Sequence, residues 1–456
     1  MQHKTLLVAL VGLLGTTGCE TIEVVRDEYR GDTPHEQYLA GLHAAGLAGT
    51  ALSQAWITEA AKAIRNPVDV DLPILDEGWF SADDPTAIGY RFPASRGRHI
   101  TVTIEIDPEE PGRVFVDLLR VAEDSTHPPR PVEADTLPGG GLRYEVRRDG
   151  VFIVRIQPEL LHSGAYRLTL GENPALAFPV AGHGMRAIQS AFGAPRDGGR
   201  REHHGVDIFA RRGTPVVASI AGRVRRVEVT NLGGKVVWLG DEKIRRSLYY
   251  AHLDSQTVSN GDRVEVGDTL GFVGNTGNAR TTPPHLHFGV YARGPSDPDP
   301  YLRPNPRRLA ALEVNPEMWG RWVRTESDGI RLRAGPSTRS EERAVLSTST
   351  PLRVIGGSGR WYRVEAPDGQ VGYIAARLTE AVDAPLSRVT MRAGAELRSR
   401  PLGDAPPRVR AESDAEVALL GRTAGFAWVR APSGLAGWVA DEDLRGDRQK
   451  GVETPF

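Results

Sequence analysis

The chain has 456 residues, which at ~150 residues per domain predicts roughly three domains with separate hydrophobic cores. Lys and Arg number 56 against 58 Asp and Glu, a net charge of −2, so bulk attraction to nucleic acid is excluded. With 40% hydrophobic and 25% charged residues and a mean hydropathy of −0.33 the composition is globular, and a single Cys excludes both an internal disulfide and a thiolate-rich zinc site.

The N-terminus reads Met1-Gln2-His3-Lys4, an apolar run from Thr5 to Leu14, and Gly15-Thr16-Thr17-Gly18-Cys19. A short basic start, an h-region of about ten residues and small residues before a cut site make residues 1–18 a secretory leader. Because Cys19 follows Gly18 directly, the leader resembles that of a bacterial lipoprotein, which implies lipidation of Cys19 and a membrane anchor there. The usual Leu three residues before the Cys is replaced by Thr16, with Leu14 nearby. Glu20 stands where an Asp would signal inner-membrane retention, so resemblance to diderm lipoproteins implies the outer membrane, facing the periplasm. No other apolar run approaches the ~18 residues of a membrane span.

The segment 19–84 is expected to be a linker and helices. Thr33, Pro34 and Glu36 form a helix-start signature, and Leu39, Leu42, Leu47, Leu52, Trp56, Ile57, Ala60 and Ile64 follow at helical spacing until Asn66-Pro67. Gly41, Gly46 and Gly49 allow one bent helix or two short ones, with the Leu and Trp stripe as packing surface. From about Gly89 the period becomes 2. Ile100, Val102, Ile104 and Ile106 alternate with polar residues, and strands are predicted at 113–121, 142–147, 151–156 and 165–170, with Asp149-Gly150 as a hairpin turn. Together they predict an antiparallel β-sandwich over 85–181. His127 and His162 are isolated in it and read as exposed or structural.

After a Pro-rich exit near Gly294 and a short helix expected around Arg307 to Leu312, an internal repeat begins. Leu332-Arg333, Pro336, Val364, Ala366-Pro367, Gly369 and Gly372-Tyr373-Ile374 recur as Leu397-Arg398, Pro401, Val429, Ala431-Pro432, Gly434 and Gly437-Trp438-Val439, always 65 residues on. Two copies of one β module follow, at 320–382 and 386–446, before a tail at 447–456 that reads as disordered. The pattern resembles bacterial SH3-like domains, small barrels attached to cell-wall enzymes, which implies wall binding. On that reading, deletion from about residue 320 weakens wall binding more than chemistry.

Five of the 12 histidines lie between His203 and His287. In the strand pattern His285-Leu286-His287-Phe288, residues two apart share a face, so His285 and His287 point the same way with apolar neighbours opposite. His203 and Asp207, with Gly205 between, add an imidazole and a carboxylate. With His287 they make a His2Asp set that leaves a fourth position open, the layout of catalytic zinc. His252 and His285 remain, as groups able to accept a proton from water, donate one to a leaving amine or stabilise an oxyanion.

The blocks His203-x-Gly205-x-Asp207, Ala251-His252-Leu253 and His285-Leu286-His287-Phe288 resemble the LytM/lysostaphin-type zinc endopeptidases of peptidoglycan. Ser190-Ala191-Phe192-Gly193, Arg212-Gly213-Thr214-Pro215-Val216 and Gly274-Asn275-Thr276-Gly277 support the likeness, which spans about 110 residues. The resemblance implies a domain at 182–308, one zinc ion on His203, Asp207 and His287, and His252 and His285 as the catalytic pair. His204 and Asp254 match no role. Asn278 to Thr282 lengthen the segment before Pro283 relative to the shortest family versions, which bears on groove shape.

The fold class is thus mainly β: an antiparallel sandwich, a LytM-type peptidase and two SH3-like barrels behind a helical segment. The expected function is a lipid-anchored zinc endopeptidase acting on peptidoglycan, with the wall and the membrane at Cys19 as partners. A non-catalytic wall-binding lipoprotein that activates an amidase is the alternative. Relatives of that kind typically lack a zinc ligand, and here all five positions are filled. Neither the scissile bond nor the oligomeric state is written in the motifs.

Overall fold

In the computed structural model the described residues are 33–106, 112–124, 126–137, 141–241 and 244–446. The leader, Cys19 and the tail at 447–456 lie outside them. The glycine cluster resolves into two helices. Pro34–Ala44 starts on a capping box, in which Thr33 accepts from the Glu36 amide while the Glu36 carboxylate accepts from the Thr33 amide. Ala51–Arg65 is capped by Thr50 and stops before Pro67. Both helices pack against the sandwich through Trp56, whose indole donates to the Pro158 carbonyl at 2.8 Å. His35 stacks on Trp56 at 4.5 Å and pairs with Gln157 at 2.6 Å.

One sheet of the sandwich runs in the order Val68–Asp69, Ile88–Ala94, Gly150–Pro158, Val114–Arg120, Arg130–Leu137; the facing sheet carries Ile74–Phe80, Gly164–Pro174, Arg98–Ile106 and Leu142–Glu145. Phe92, Ile100, Val102, Val116, Val154 and Leu168 fill the space between. Three features depart from expectation. Leu142–Glu145 pairs with Arg98–Ile106 while Gly150–Pro158 pairs in the other sheet, so Asp149-Gly150 crosses between sheets and is not a hairpin turn. Arg130–Leu137 is a strand in spite of Pro131, because it lies at an edge where a missing N–H costs no ladder bond. Ile74–Phe80 is also a strand: Asp76 and Glu77 break the period-2 pattern, yet both are buried because arginines pair with them.

The second sheet does not end with the sandwich. Ile74–Phe80 pairs with Pro351–Ser358 of the first SH3-like module, Glu77 opposite Gly357 and Gly78 opposite Gly356. The backbones nearly touch there: a Cβ on Gly356 would lie 2.4 Å from the Glu77 carbonyl oxygen. Across this seam Arg363 reaches Asp76 at 2.7 Å, with Tyr90, Tyr166 and Tyr373 completing a buried polar cluster. The second module repeats the manoeuvre 65 residues on. Gly421, the counterpart of Gly356, abuts the Ser349 carbonyl, and Trp428, the counterpart of Arg363, packs at a tilt against Trp322 with ring centres 4.4 Å apart. The modules are therefore built into the body of the protein, and removing residues from 320 onward would strip the sandwich of part of its sheet and core as well as any wall contact.

The remaining large sheet runs Ile188–Ser190, Val206–Phe209, His285–Tyr291, Ser247–Gln256, Gly234–Gly240, Gly222–Thr230. Val206, Ile208, Leu286, Phe288, Val290, Leu248 and Tyr250 form its buried face. It docks on the sandwich through Arg246, held between Glu145 at 2.5 Å and Asp241 at 2.8 Å. No helix forms at 307–312. Asn305 and Arg307 instead tie the extended chain to Leu72 and Asp71.

Candidate metal centre

Period-2 geometry determines which side chains leave the buried face of this sheet. In Val206–Phe209 and His285–Tyr291 the apolar residues face the core, so Asp207, Phe209, His285 and His287 emerge on the other side, with Asp207 directly opposite His287 and Phe209 opposite His285. His203 lies just before the first of these strands. Gly205 is required between them: a Cβ there would fall 2.5 Å from the Phe288 carbonyl oxygen and 2.8 Å from His287 Nε2. His252 arrives differently. In Ser247–Gln256 strict alternation after Leu248 and Tyr250 would send His252 into the core and Leu253 out. The structure has Leu253 in the core, because the register shifts around His252, which takes a left-handed φ of 63°. A β-bulge thus re-aims one imidazole at the site, at the cost of local strain.

His203 Nε2, His287 Nδ1 and Asp207 Oδ1 converge pairwise at 2.9–3.0 Å. Ligands around tetrahedral zinc at ~2.0–2.2 Å lie about 3.3 Å apart, so this triangle needs only a slight expansion to hold the ion. The donor chemistry fits as well, since two imidazoles and one carboxylate are typical zinc ligands that leave a position free. The ligand orientation is secured from behind. His203 Nδ1 donates to the Ala191 carbonyl at 2.8 Å, which leaves Nε2 as the donor atom toward a metal. Burial pushes the Asp207 carboxyl up, but the adjoining His203 and His287 imidazoles outweigh it and hold Asp207 well below the usual carboxylate range, hence ionised. Burial lowers the His287 pKa, favouring the neutral form a metal requires.

His285 and His252 stand beside the triangle. Their rings are 5.0 Å apart, and His285 Nε2 is 4.0 Å from Asp207 Oδ1. Each donates Nδ1–H to a backbone carbonyl, His252 to Thr276 at 2.9 Å and His285 to Pro283 at 2.8 Å, which fixes the tautomer with Nε2 unprotonated. Burial, reinforced by His285 and His287, brings the His252 pKa down to about 4, so its Nε2 is an available acceptor at neutral pH. Phe209 stacks on His285 at 5.0 Å and Tyr249 meets His287 edge-on at 5.8 Å.

All five residues singled out in the sequence are therefore gathered in one place, while His204 and Asp254 are not part of the group. His204 stacks on Phe192 and Asp254 pairs with Arg212. His162 is buried against Phe80 and His127 pairs with Asp124 at the surface. One residue escaped sequence reasoning. Arg196 donates to Asp207 Oδ2 at 2.6 Å and to Ser190 Oγ at 2.7 Å, occupying the carboxylate oxygen that faces away from the triangle. Its position 11 residues before Asp207 carries no periodic signal; only the pairing of Pro195–Arg196 with Arg201–Glu202 folds it back.

Two segments of the chain match known protein families. Residues 201–299 match peptidase family M23 and residues 328–380 match the bacterial SH3 domain. The L-Ala–D-Glu endopeptidase of Bacillus subtilis is 34% identical over 178 residues, 36% of this chain and 53% of that protein. The peptidoglycan DD-endopeptidase ShyC of Vibrio cholerae is 33% identical over 115 residues, 25% of this chain and 24% of that protein. Among solved structures, the catalytic domain of lysostaphin from Staphylococcus simulans is 33% identical, covering 25% of this chain and 89% of that one, with a TM-score of 0.23. The chain thus spans about half the length of the first of these curated relatives and about a quarter of the second. The His2Asp triangle with its two flanking histidines lies inside the matched segment, and the chain carries a peptidase family M23 domain together with a bacterial SH3 domain.

Proposed function

We propose that this chain is a zinc endopeptidase that hydrolyses amide bonds in peptidoglycan, carried to the outer membrane by a lipid on Cys19 and facing the periplasm. The observation that carries the catalytic reading is the pairing of a three-donor metal triangle with two imidazoles whose Nε2 atoms are unprotonated by backbone hydrogen bonding. His203, Asp207 and His287 would hold the zinc, which supplies Lewis acidity that acidifies water and polarises a carbonyl. His252 and His285 supply the proton chemistry. A water loses a proton to an imidazole Nε2 as its oxygen bonds the amide carbon. The proton then passes to the amine nitrogen as the C–N bond breaks. The strain at His252 suits this role, since the bulge holds its ring where a core-facing residue could not reach.

The likeness to these relatives favours peptidoglycan as substrate, and their names differ in the bond cut, so the scissile bond is the quantity to measure. Purified protein should contain about one zinc per chain and release soluble muropeptides from sacculi, with mass spectrometry of products from defined muropeptides naming the bond. Sacculi left intact by zinc-loaded protein would instead favour the non-catalytic, amidase-activating reading. The anchor is tested separately: Cys19→Ser should abolish lipid labelling in cells, and an unlabelled wild type would remove the lipid from the proposal.

A further inference from the structure

The sheet face that carries the metal centre continues past the histidines. Alternation puts Tyr249 between the core residues Leu248 and Tyr250, Trp238 between Val237 and Leu239, and Tyr291 after Val290, so all three leave the sheet on the side of Asp207 and His287. In register, Tyr249 stands opposite Trp238 on one neighbouring strand and opposite Gly289 on the other. The rings make one continuous floor: Trp238 lies 4.4 Å from Tyr249 and 5.2 Å from Tyr291, and the two tyrosines are 6.3 Å apart. Two glycines make room for it. A Cβ on Gly289 would lie 2.7 Å from the Tyr291 ring, and one on Gly233 would lie 2.1 Å from the Tyr249 hydroxyl. The Tyr291 hydroxyl donates to the His204 carbonyl at 3.3 Å, which holds its ring over Gly289.

All three rings are only half-buried. The rim beyond Trp238 is polar: Arg226 stands opposite it in register, and Glu228 lies 3.5 Å from Arg226 at the surface. The floor begins at the metal triangle, where Tyr249 meets His287 at 5.8 Å, while His285 and its stacking partner Phe209 flank His287 at the preceding position of the same face. We infer that Trp238, Tyr249 and Tyr291 form a subsite for an amino-sugar ring of the glycan, seated next to the scissile peptide bond. This rests on the proposed function, which makes peptidoglycan the substrate. The amino acids of a wall stem are small or charged, and none covers three rings. An amino sugar instead presents a flat face of slightly positive C–H bonds to the negative face of an aromatic ring, and hydroxyls to a polar rim. At ~3.5 Å per extended residue, a sugar lying against Tyr249 is within about two residues of the metal. The bond cut is therefore one of the first two peptide bonds of the stem, counted from the sugar.

The test uses the zinc-loaded full chain with His252→Ala, so that the probes are not consumed, and two soluble probes titrated by calorimetry: the wall disaccharide carrying its tetrapeptide, and the same tetrapeptide without sugar. The sugar-bearing probe should bind about tenfold or more tighter. Adding Trp238→Ala should close that gap, and Trp238→Phe, which keeps a ring, should preserve most of it. Zinc content and melting temperature certify the fold of each variant, and Trp238→Leu, which fills the space without an aromatic face, replaces Trp238→Ala if the latter does not fold. Contacts of either probe with other parts of the chain are common to all variants and leave the comparison intact. Equal affinity for the two probes in the parent, or a gap that survives loss of the ring, would overturn the proposal. So would products of the wild type cut only three or more residues from the sugar. Failure of the endopeptidase reading would show differently, as an absence of any cleaved product from the zinc-loaded wild type, with the affinity gap still deciding the subsite.

Discussion

Asp207 and Asp76 are both buried carboxylates surrounded by nitrogen and oxygen donors, and they serve opposite ends. Asp76 is saturated. Arg363 and the hydroxyls of Tyr166 and Tyr373 converge on it, and the cluster seals the seam between the sandwich and the first barrel. Burial raises the Asp76 pKa, against the pull of Arg363. Around Asp207 a cation, Arg196, takes only Oδ2, while Oδ1 faces the nitrogens of two imidazoles, and the carboxyl is held low. The difference teaches that a buried carboxylate marks a binding centre when one of its oxygens is left facing other ligand atoms, and marks structural glue when a cation and hydroxyl donors close both oxygens.

Substitutions at the two carboxylate clusters should therefore separate completely. His203→Ala should abolish zinc binding and muropeptide release together, whereas His252→Ala should retain the metal and lose turnover by about 10²–10⁴-fold; zinc content and product formation read both, and activity surviving the two changes would sink the assignment. Arg363→Ala leaves Asp76 as an uncompensated buried charge and should cost about 3–5 kcal/mol in denaturant unfolding, with zinc affinity of the still-folded fraction unchanged. A loss of zinc affinity there would erase the distinction between the clusters. Arg196→Ala should weaken zinc by about 10–100-fold in chelator competition, with Arg196→Lys recovering part of it. Identical zinc affinities would show that the Arg196 contact to Asp207 Oδ2 does no positioning.

The effect that shows only as a pH dependence belongs to a third buried group. His35 is held neutral by burial and by the Arg155 charge, its pKa lowered to about 3. In the unfolded chain it takes up a proton below about 6.5. Its stabilising contribution is therefore complete above 6.5 and falls by at most about 1.4 kcal/mol per pH unit down to about 3, below which it is flat. Comparing urea midpoints of the wild type and His35→Gln across that range isolates it; parallel curves would show that His35 is already charged in the fold.

Much of the metal centre was legible in the sequence because strand periodicity acts locally. Leu286 and Phe288 against His285 and His287 need no knowledge of the fold, and Gly205 between His203 and Asp207 is explained by the close approach of His287. His252 was legible as a candidate but not in its placement, since plain alternation after Tyr250 points it the wrong way until the bulge intervenes. Arg196 left no trace, because its contact depends on a two-residue pairing. The Ile74–Phe80 strand was missed for a similar reason. Its charged residues read as surface, and the partner that buries Asp76 lies 287 residues away.

The pairing of Gly78 with Gly356 also sets how the protein can reach its substrate. Had the barrels hung on a flexible linker, they would raise the local concentration of wall around the peptidase and let it sample bonds over a radius set by linker length. With the peptidase clamped to one side of the sandwich by Arg246 and the first barrel sewn into its sheet, that search is frozen. On the proposed function, a wall strand seated on the barrel would meet the metal centre at one separation and orientation set by these contacts, as against a ruler that can stretch.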